Sequence, residues 1–323
     1  MTSQLLPPPA RPGQVGRLAI TAIAPVVWGT TYVVTTELLP PNHPLFASLV
    51  RALPAGLLGL ALARTLPCGV WWVRAAILGV LNIGLFFPLL FVAAERLPGG
   101  VAATLSATQP VIVVGLAVLL LRERPSAWRI GWAVAGVVGV AMVVLRPNAA
   151  AFDLVGALAA LGSAVSMALG VVLTTRWGRP DGVSATAFAS WLLTAGGLVL
   201  LPVTLVVEGA PPSVDGPAVL GFLWLGLVGG LLAYMLWFRG LATLPVTSIA
   251  LLSPLSPVVA ALLGVLVLHQ TLGSVQLVGF ALALVSVTAG QWTPPARSTS
   301  SLRDVDPNEH GRRDRSGEAT HSP

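Results

Sequence analysis

The sequence predicts an all-α integral membrane protein of ten transmembrane helices, arranged as two inverted five-helix repeats. Three observations predict it: the scarcity of charge, the long uncharged stretches and an internal repeat. Only 9% of the 323 residues are charged, whereas 55% are hydrophobic. A typical soluble domain carries about 25% charged residues because its surface faces water. The few charged residues cannot cover the surface of a globular protein of this size. We therefore expect the apolar surface of the protein to face a lipid bilayer.

Eight uncharged stretches are each long enough to cross the hydrocarbon layer, which takes roughly 17–25 apolar residues per helix. Two less obvious spans complete the count: the second contains a single charge, Arg51, and the fifth is short but lies between Arg129 and Arg146. The first is longer than the roughly 7–15 apolar residues of a signal peptide and lacks a small-x-small cleavage site, so we interpret it as a helix. The ten predicted spans are Leu18–Thr36, Leu45–Ala63, Ala75–Ala94, Leu97–Leu121, Ile130–Leu145, Leu154–Thr175, Gly182–Val207, Gly216–Phe238, Gly240–Leu268 and Gln270–Ala296.

The placement of arginine predicts the orientation of the spans. All 18 basic residues are Arg. If the N-terminus lies inside, fifteen of these 18 arginines fall in the inner loops and the two termini, whereas Arg96 and Arg146 fall in outer loops. Positive charge concentrates on the cytoplasmic side of membrane proteins. We therefore expect a multi-pass cell-membrane protein with cytoplasmic N- and C-termini, and we interpret the sequence pI of about 11.1 as orientation rather than nucleic-acid binding.

An internal repeat divides the chain. With a shift of 147 residues, 78–121 lies over 225–268 without a gap, and both copies carry a Leu-Pro pair followed by Ser-x-x-x-Pro. Because each unit contains five spans, the second enters the membrane from the opposite side, as in inverted-topology repeats. Alternating access requires such symmetry. The predicted regions are a flexible segment at 1–16, the repeats at 17–147 and 148–293, and a disordered cytoplasmic tail at 294–323.

Several motifs resemble those of EamA-type transporters, within the drug/metabolite transporter superfamily. Residues 28–32 read Trp-Gly-Thr-Thr-Tyr, like the opening signature of that family, and residues 233–245 and 252–257 are similar to its second half. The resemblance covers roughly residues 18–292 and is greatest to the PecM-like group, which is associated with export of the blue pigment indigoidine. It implies a secondary transporter. The family often carries a second Glu near the end of the ninth span, where this chain has Gln270 opposite Glu123.

Polar side chains within the spans are candidates for a solute site, because they are costly in lipid and should face the bundle interior. An apolar pocket with a few placed hydrogen-bonding groups is typical of small-molecule sites. For the serines, close helix packing is the competing interpretation, and for Asn82, Gln109 and Tyr234 both interpretations stay open. The predicted substrate-binding residues are Trp28, Tyr32, Asn82, Ser106, Gln109, Tyr234, Trp237, Ser253 and Ser256.

Four further residues are predicted to serve gating or structure. Arg51 is the only formal charge well inside a span. It either binds an anion or gates the cavity, or it donates to carbonyl groups at a helix break near Pro54. Pro110, Pro254 and Pro257 occupy repeat-related places, where proline removes an amide donor and breaks the helix. Broken helices near the midplane often mark transport sites.

The predicted function is export of a small organic solute, with the solute and the bilayer as partners. The sequence has no lysine and hence no GxxxxGK[ST] phosphate loop, so we expect a gradient to supply the energy. Coupling to protons and exchange with a second solute both stay open, as do a monomer and a homodimer. We expect no cofactor and no metal site. The alternative is a membrane enzyme acting on a lipid-linked or amphipathic substrate, which usually needs clustered carboxylates, histidines or a metal.

Overall fold

The structure is a computed structural model that describes residues 12–97, 105–106, 108–122, 127–144, 153–267 and 273–290. Within these residues all regular structure is helical. Seven of the helices are long and apolar enough to cross a membrane, and three shorter apolar helices accompany them. This confirms an all-helical membrane protein. Glu123, Gln270 and the predicted tail at 294–323 lie outside the described residues.

The described part of the chain contains three π-helical segments, in which the hydrogen bonds span one residue more than in an α-helix. Two of these segments lie inside long apolar helices, at 80–84 and 224–232. In chain order the elements are α1 (Pro12–Gly29), α2 (Thr31–Leu38), α3 (Pro44–Ala63), α4 (Trp71–Gly79), π1 (Val80–Gly84), α5 (Phe86–Arg96), α6 (Gln109–Leu116), π2 (Ala117–Leu121), α7 (Ala127–Val144), α8 (Leu154–Trp177), α9 (Ala185–Val207), α10 (Gly216–Leu223), π3 (Trp224–Leu232), α11 (Ala233–Leu241), α12 (Val246–Ala250), α13 (Leu255–Leu266) and α14 (Ser274–Ala289).

Short polar residues begin three of the long helices. The carboxylate of Asp153 accepts a hydrogen bond from the Gly156 amide at 2.8 Å and so caps α8. Asp215 caps α10 in the same way, and the hydroxyl of Ser184 caps α9. Each side chain satisfies an amide that has no partner within its own helix. These caps fix where the apolar segments enter the bundle.

Two predicted spans have different boundaries in the structure. The stretch Gly240–Leu268 was expected to form one helix, but α11 runs on to Leu241, and α12 and α13 follow separately with a turn at 251–254 between them. The stretch Leu97–Leu121 begins with an extended Leu97; of its other described residues, 105–106 are helical, Thr108 forms a turn and α6 begins at Gln109. An uncharged stretch shows which residues can lie in lipid, but it does not show where a helix begins. Proline and turn geometry determine that position.

Small residues allow two pairs of helices to pack closely, α3 against α9 and α7 against α14. A Cβ atom at Gly56 would lie 2.5 Å from the backbone nitrogen of Thr194, and one at Gly139 would lie 2.6 Å from that of Ala283. Such contacts need glycine because nothing else allows the two backbones to approach. Gly56 and Gly139 are therefore helix-contact residues.

The remaining contacts place the first helix of each predicted repeat against the other half. The α1 helix packs on α11 and α13, and α8 packs on α5 and α6. Large aromatic side chains fill the centre, whereas many leucines and valines point outwards: Val206 is 84% exposed and Leu119 is 75% exposed. An apolar exterior of this kind suits a lipid surface.

Candidate functional site

A cavity of about 70 Å³ lies in the middle of the bundle, between helices of both halves. Helices α1, α2, α3, α5 and α6 contribute to its wall from the first half, and α8 and α13 from the second. The wall combines aromatic and aliphatic side chains with hydroxyl groups, one amide and one guanidinium group. The lining residues are Pro25, Trp28, Thr31, Tyr32, Arg51, Phe86, Leu90, Ser106, Gln109, Ser163, Ala164, Met167, Ser253, Ser256 and Pro257.

The structure brings eight of the thirteen predicted site residues to this cavity. These are Trp28, Tyr32, Arg51, Ser106, Gln109, Ser253, Ser256 and Pro257. The other five do not line it: Pro110 is buried in the first turn of α6, Pro254 immediately precedes α13, and Asn82, Tyr234 and Trp237 lie within the protein core, each with at most 1% of its surface exposed. Whether the lining residues bind solute stays a prediction.

Trp28 forms an aromatic wall of the cavity. Its ring lies 5.1 Å from the ring of Tyr234 and 5.2 Å from that of Trp237. The indole N–H donates to the carbonyl oxygen of Gly229, in π3, at 2.8 Å. Because the protein backbone already uses its one polar group, Trp28 offers a solute only its apolar ring.

Asn82 and Tyr234 serve the backbone of π1. The hydroxyl of Tyr234 donates to the carbonyl oxygen of Asn82 at 3.1 Å, and that of Ser166 donates to the carbonyl oxygen of Leu81 at 2.7 Å. The amide of Asn82 in turn donates to the carbonyl oxygen of Leu78 at 2.9 Å. A π-helical segment disturbs the regular ladder, and neighbouring side chains satisfy its carbonyl groups. The contacts of Asn82 and Tyr234 therefore match the packing interpretation.

Arg51 projects from α3 into the cavity wall and is 1% exposed. Its guanidinium group donates to the hydroxyl of Thr31 at 3.4 Å and to the carbonyl oxygen of Gly229 at 3.5 Å. Its carbon Cζ lies 4.4 Å from the centre of the Phe87 ring. The carbonyl that it contacts thus belongs to π3 rather than to a break near Pro54. The cavity has one fixed positive charge.

Acidic residues hold helices together away from the cavity. The carboxylate of Glu208, just beyond α9, accepts hydrogen bonds from the amides of Leu45 and Phe46 at 2.7 and 2.8 Å, at the start of α3. Asp153 forms an ion pair with Arg96 at 3.3 Å. The Gly156 amide, together with Arg96, holds the pKa of Asp153 below its usual value.

The predicted prolines stand where helices begin. Pro110 is the second residue of α6, and Pro257 is the third residue of α13, which follows the turn at 251–254. The first turn of a helix tolerates proline because its amides have no partner within the helix. Before α13, the turn at 251–254 continues the chain with backbone hydrogen bonds that span three residues, such as the one from the Leu252 amide to the Ile249 carbonyl oxygen.

A second, wider groove of about 630 Å³ lies between α2, π3 and α13. Its wall is almost entirely aliphatic, and the indole N–H of Trp224 is bonded to the Thr30 hydroxyl at 2.8 Å. This surface offers few groups that recognise a polar solute. The central cavity is the better candidate site.

Seven of the lining residues were not among the predicted site residues, namely Pro25, Thr31, Phe86, Leu90, Ser163, Ala164 and Met167. Spacing along the chain is the signal that points to two of them. Thr31 follows Trp28 by three residues, across the junction of α1 and α2, and Leu90 follows Phe86 by four residues on one side of α5. Phe86 and Met167 carry no polar mark that distinguishes them from ordinary apolar residues of a span.

The helical fold, the apolar exterior and the central cavity define a multi-pass membrane protein of the transporter class. The profile of the EamA-like transporter family matches residues 17–145 and 154–289. The chain belongs to the EamA-like transporter family. It is 47% identical to Protein PecM of Dickeya dadantii over 79% of this chain and 86% of that protein.

A second relative agrees with this family, and a solved structure shows the same fold. The chain is 30% identical to the uncharacterized inner membrane transporter YedA of Escherichia coli K12, over 84% of this chain and 90% of that one. A solved crystal structure shares the fold with a TM-score of 0.70 at 20% identity, covering 85% of this chain and 98% of its own. The similarity thus extends over nearly the whole helical body.

Proposed function

We propose that this protein is a secondary transporter of the cell membrane that exports a small organic metabolite through the central cavity. The solute is amino-acid-derived, pigment-like or drug-like. Ten spans form two inverted five-helix repeats, at 17–147 and 148–293, and both termini lie in the cytoplasm. Alternating access moves the cavity from one face of the membrane to the other.

The observation that carries the proposal is the pairing of repeat-related residues around the cavity. Ser106 and Ser253 are 147 residues apart, as are Gln109 and Ser256, and all four line the same cavity. A solute path on the pseudo-two-fold axis would be lined in this way. The repeat also relates the helix contacts: α1 packs on α11 and α13, and its counterpart α8 packs on α5 and α6, the counterparts of α11 and α13.

The π-helical segments π1 and π3 support the equivalence of the halves. Asn82 and Gly229 are also 147 residues apart, in π1 and π3. The carbonyl oxygen of Asn82 accepts from Tyr234, and that of Gly229 accepts from Trp28. Each repeat-related carbonyl is therefore bonded to an aromatic side chain of the other half.

The size of the cavity favours a carrier over a pore. Sites for small organic ligands usually measure about 300–1,000 Å³, whereas this cavity holds about 70 Å³. A solute of that kind enters only if the helices separate. Such a closed site is expected of a carrier in the occluded state between its two open states.

The experiment is solute release from cells with and without the protein, followed by counterflow of the released solute in proteoliposomes. The Ser256→Trp variant would fill the cavity and should abolish both activities. Leu262→Trp is the matched control, because Leu262 lies on the same helix and is 43% exposed. Equal release with and without the protein, or full activity of Ser256→Trp with normal membrane insertion, would contradict the proposal.

A further inference from the structure

Arg51 is a buried cation without a nearby counter-ion among the described residues. Six acidic residues belong to the described part of the chain, and all lie in loops or at helix ends: Glu37, Glu95, Asp153, Asp181, Glu208 and Asp215. None of them pairs with Arg51. Removing an ion from water is costly unless other groups replace the water. The protein therefore retains a charge that its own described acidic groups do not neutralise.

The hydrogen bonds of Arg51 are few and long. A guanidinium group has five N–H donors, and the two bonds that it makes, at 3.4 and 3.5 Å, exceed the usual 2.7–3.2 Å. Its Nε–H has no partner among the described residues. The Phe87 ring covers one face of the group at 4.4 Å, so unused donors remain in its plane.

Arg51 lies deep within the bundle, unlike a charged residue at the protein surface. It stands seven residues after Pro44, the first residue of α3, which is about 10 Å along the helix at 1.5 Å per residue. Its side chain is 1% exposed, so it does not reach water at either helix end. The charge is held beside the cavity instead.

The rest of the cavity wall is neutral. Its polar groups are hydroxyls and the Gln109 amide, and no carboxylate lines it among the described residues. A cationic solute would meet the like charge of Arg51, and the ammonium group of a zwitterion would find only neutral oxygen atoms. A phosphate monoester brings about −1.5 to −2 charges, which exceeds the single charge available.

We infer that the solute is a planar or amphipathic monocarboxylate, held as an anion by Arg51 with its apolar body against Trp28. This inference rests on the proposed function and names the class of solute. The planar fork of arginine matches a carboxylate with two parallel hydrogen bonds. The loaded cavity is then neutral overall.

The test compares an acid with its neutral amide. Indole-3-acetate and indole-3-acetamide are titrated by calorimetry into the full-length protein in nanodiscs, at pH 7.5. We expect the acid to bind the wild type at least about 30-fold more tightly, the lower end of the effect of removing one member of a buried charged pair. Arg51→Gln should abolish this preference.

Two further variants make the result specific. Arg51→Lys keeps the positive charge but loses the planar pair of donors that matches a carboxylate. We therefore expect it to show an intermediate preference for the acid, and this result can be measured even if Arg51→Gln does not fold. Arg74→Gln is the matched control: Arg74 also lies over aromatic rings, at 5.2 Å from Trp71 and 5.6 Å from Trp177, but does not line the cavity. It should keep the full preference.

Equal binding of acid and amide, binding of neither, or an unchanged preference in both Arg51 variants would overturn the inference. Counterflow of the same probes separates this failure from that of the proposed function. A protein that carries both probes equally remains a transporter without an anion site. A protein that binds the acid through Arg51 but carries neither probe has the site and is not a transporter of this class.

Discussion

The contact between Glu208 and the start of α3 yields a quantitative prediction. The α3 helix begins with Pro44, and the preceding His43 makes no side-chain capping bond. The carboxylate of Glu208 supplies the cap instead and joins the end of α9 to α3 through the amides of Leu45 and Phe46. Replacing Glu208 with Ala would leave both amides without this partner.

The expected loss follows from the number of bonds. A hydrogen bond to a charged group contributes about 1.5–3 kcal/mol, and the lower end applies because Glu208 is partly exposed. Two bonds therefore give about 3 kcal/mol. At about 2–4 °C per kcal/mol for a large domain, the unfolding midpoint should fall by roughly 6–12 °C. Glu208→Gln keeps one acceptor oxygen and should lose about half as much.

Intrinsic tryptophan fluorescence during heating measures the midpoint, with the purified protein in detergent. Glu37→Ala is the control, because Glu37 is an exposed glutamate near the end of α2. It should leave the midpoint within about 1 °C, as surface substitutions usually do. A Glu208→Ala midpoint equal to that of the wild type would refute the capping role and the reasoning from bond number.

Four other outcomes are expected. Gly139→Leu should lower the unfolding midpoint, because its Cβ would lie 2.6 Å from the opposing backbone, whereas Gly131→Leu on the same helix has open space and should not; equal midpoints would contradict this. Tyr234→Phe leaves a buried carbonyl without its hydroxyl donor and should cost about 1–3 kcal/mol of unfolding free energy; an unchanged denaturation midpoint would remove that hydrogen bond from the account. The pKa of Asp153 is lower in the folded state than in the unfolded state, so ionised Asp153 stabilises the fold at neutral pH. This contribution is lost as the pH falls below about 4, so the stability of Asp153→Asn should fall less steeply with decreasing pH than that of the wild type. Cys68 is exposed and should react with a membrane-impermeant maleimide only after the cells are permeabilised; labelling of intact cells would place its loop outside.

The sequence was sufficient to predict an all-helical membrane protein with several apolar spans, because charge exclusion acts on every residue of a span. It was less informative about helix ends. The turn at 251–254 interrupts an uncharged stretch, and composition does not distinguish an apolar turn that packs inside the protein from an apolar helix. The π-helical segments were not predicted either, since their shifted hydrogen bonds depend on donors from other helices, such as Trp28 and Ser166.

The candidate site, too, was predicted from the sequence only in part. Eight of the predicted site residues line the cavity, but a polar side chain within the bundle bonds either to the backbone or to groups in a cavity, and the residue type alone does not decide between them. Gln109 faces the cavity, whereas Tyr234 bonds to a carbonyl group. For Arg51, the sequence indicated a lone charge, and the structure adds its long bonds and its place in the cavity wall.

The π-helical segment in the third long helix constrains the length of that helix as well as its composition. One π-helical turn holds one residue more than an α-helical turn, so deleting one residue from π1 would restore regular α-helical bonding there and leave the helix beyond it in nearly the same orientation. Phe86 and Leu90, which follow π1 and line the cavity, would still face it. The carbonyl groups of Leu81 and Asn82, which now accept from Ser166 and Tyr234, would return to the hydrogen bonds of their own helix. The extra residue therefore connects this helix to two others, and it does not decide which side chains a solute meets.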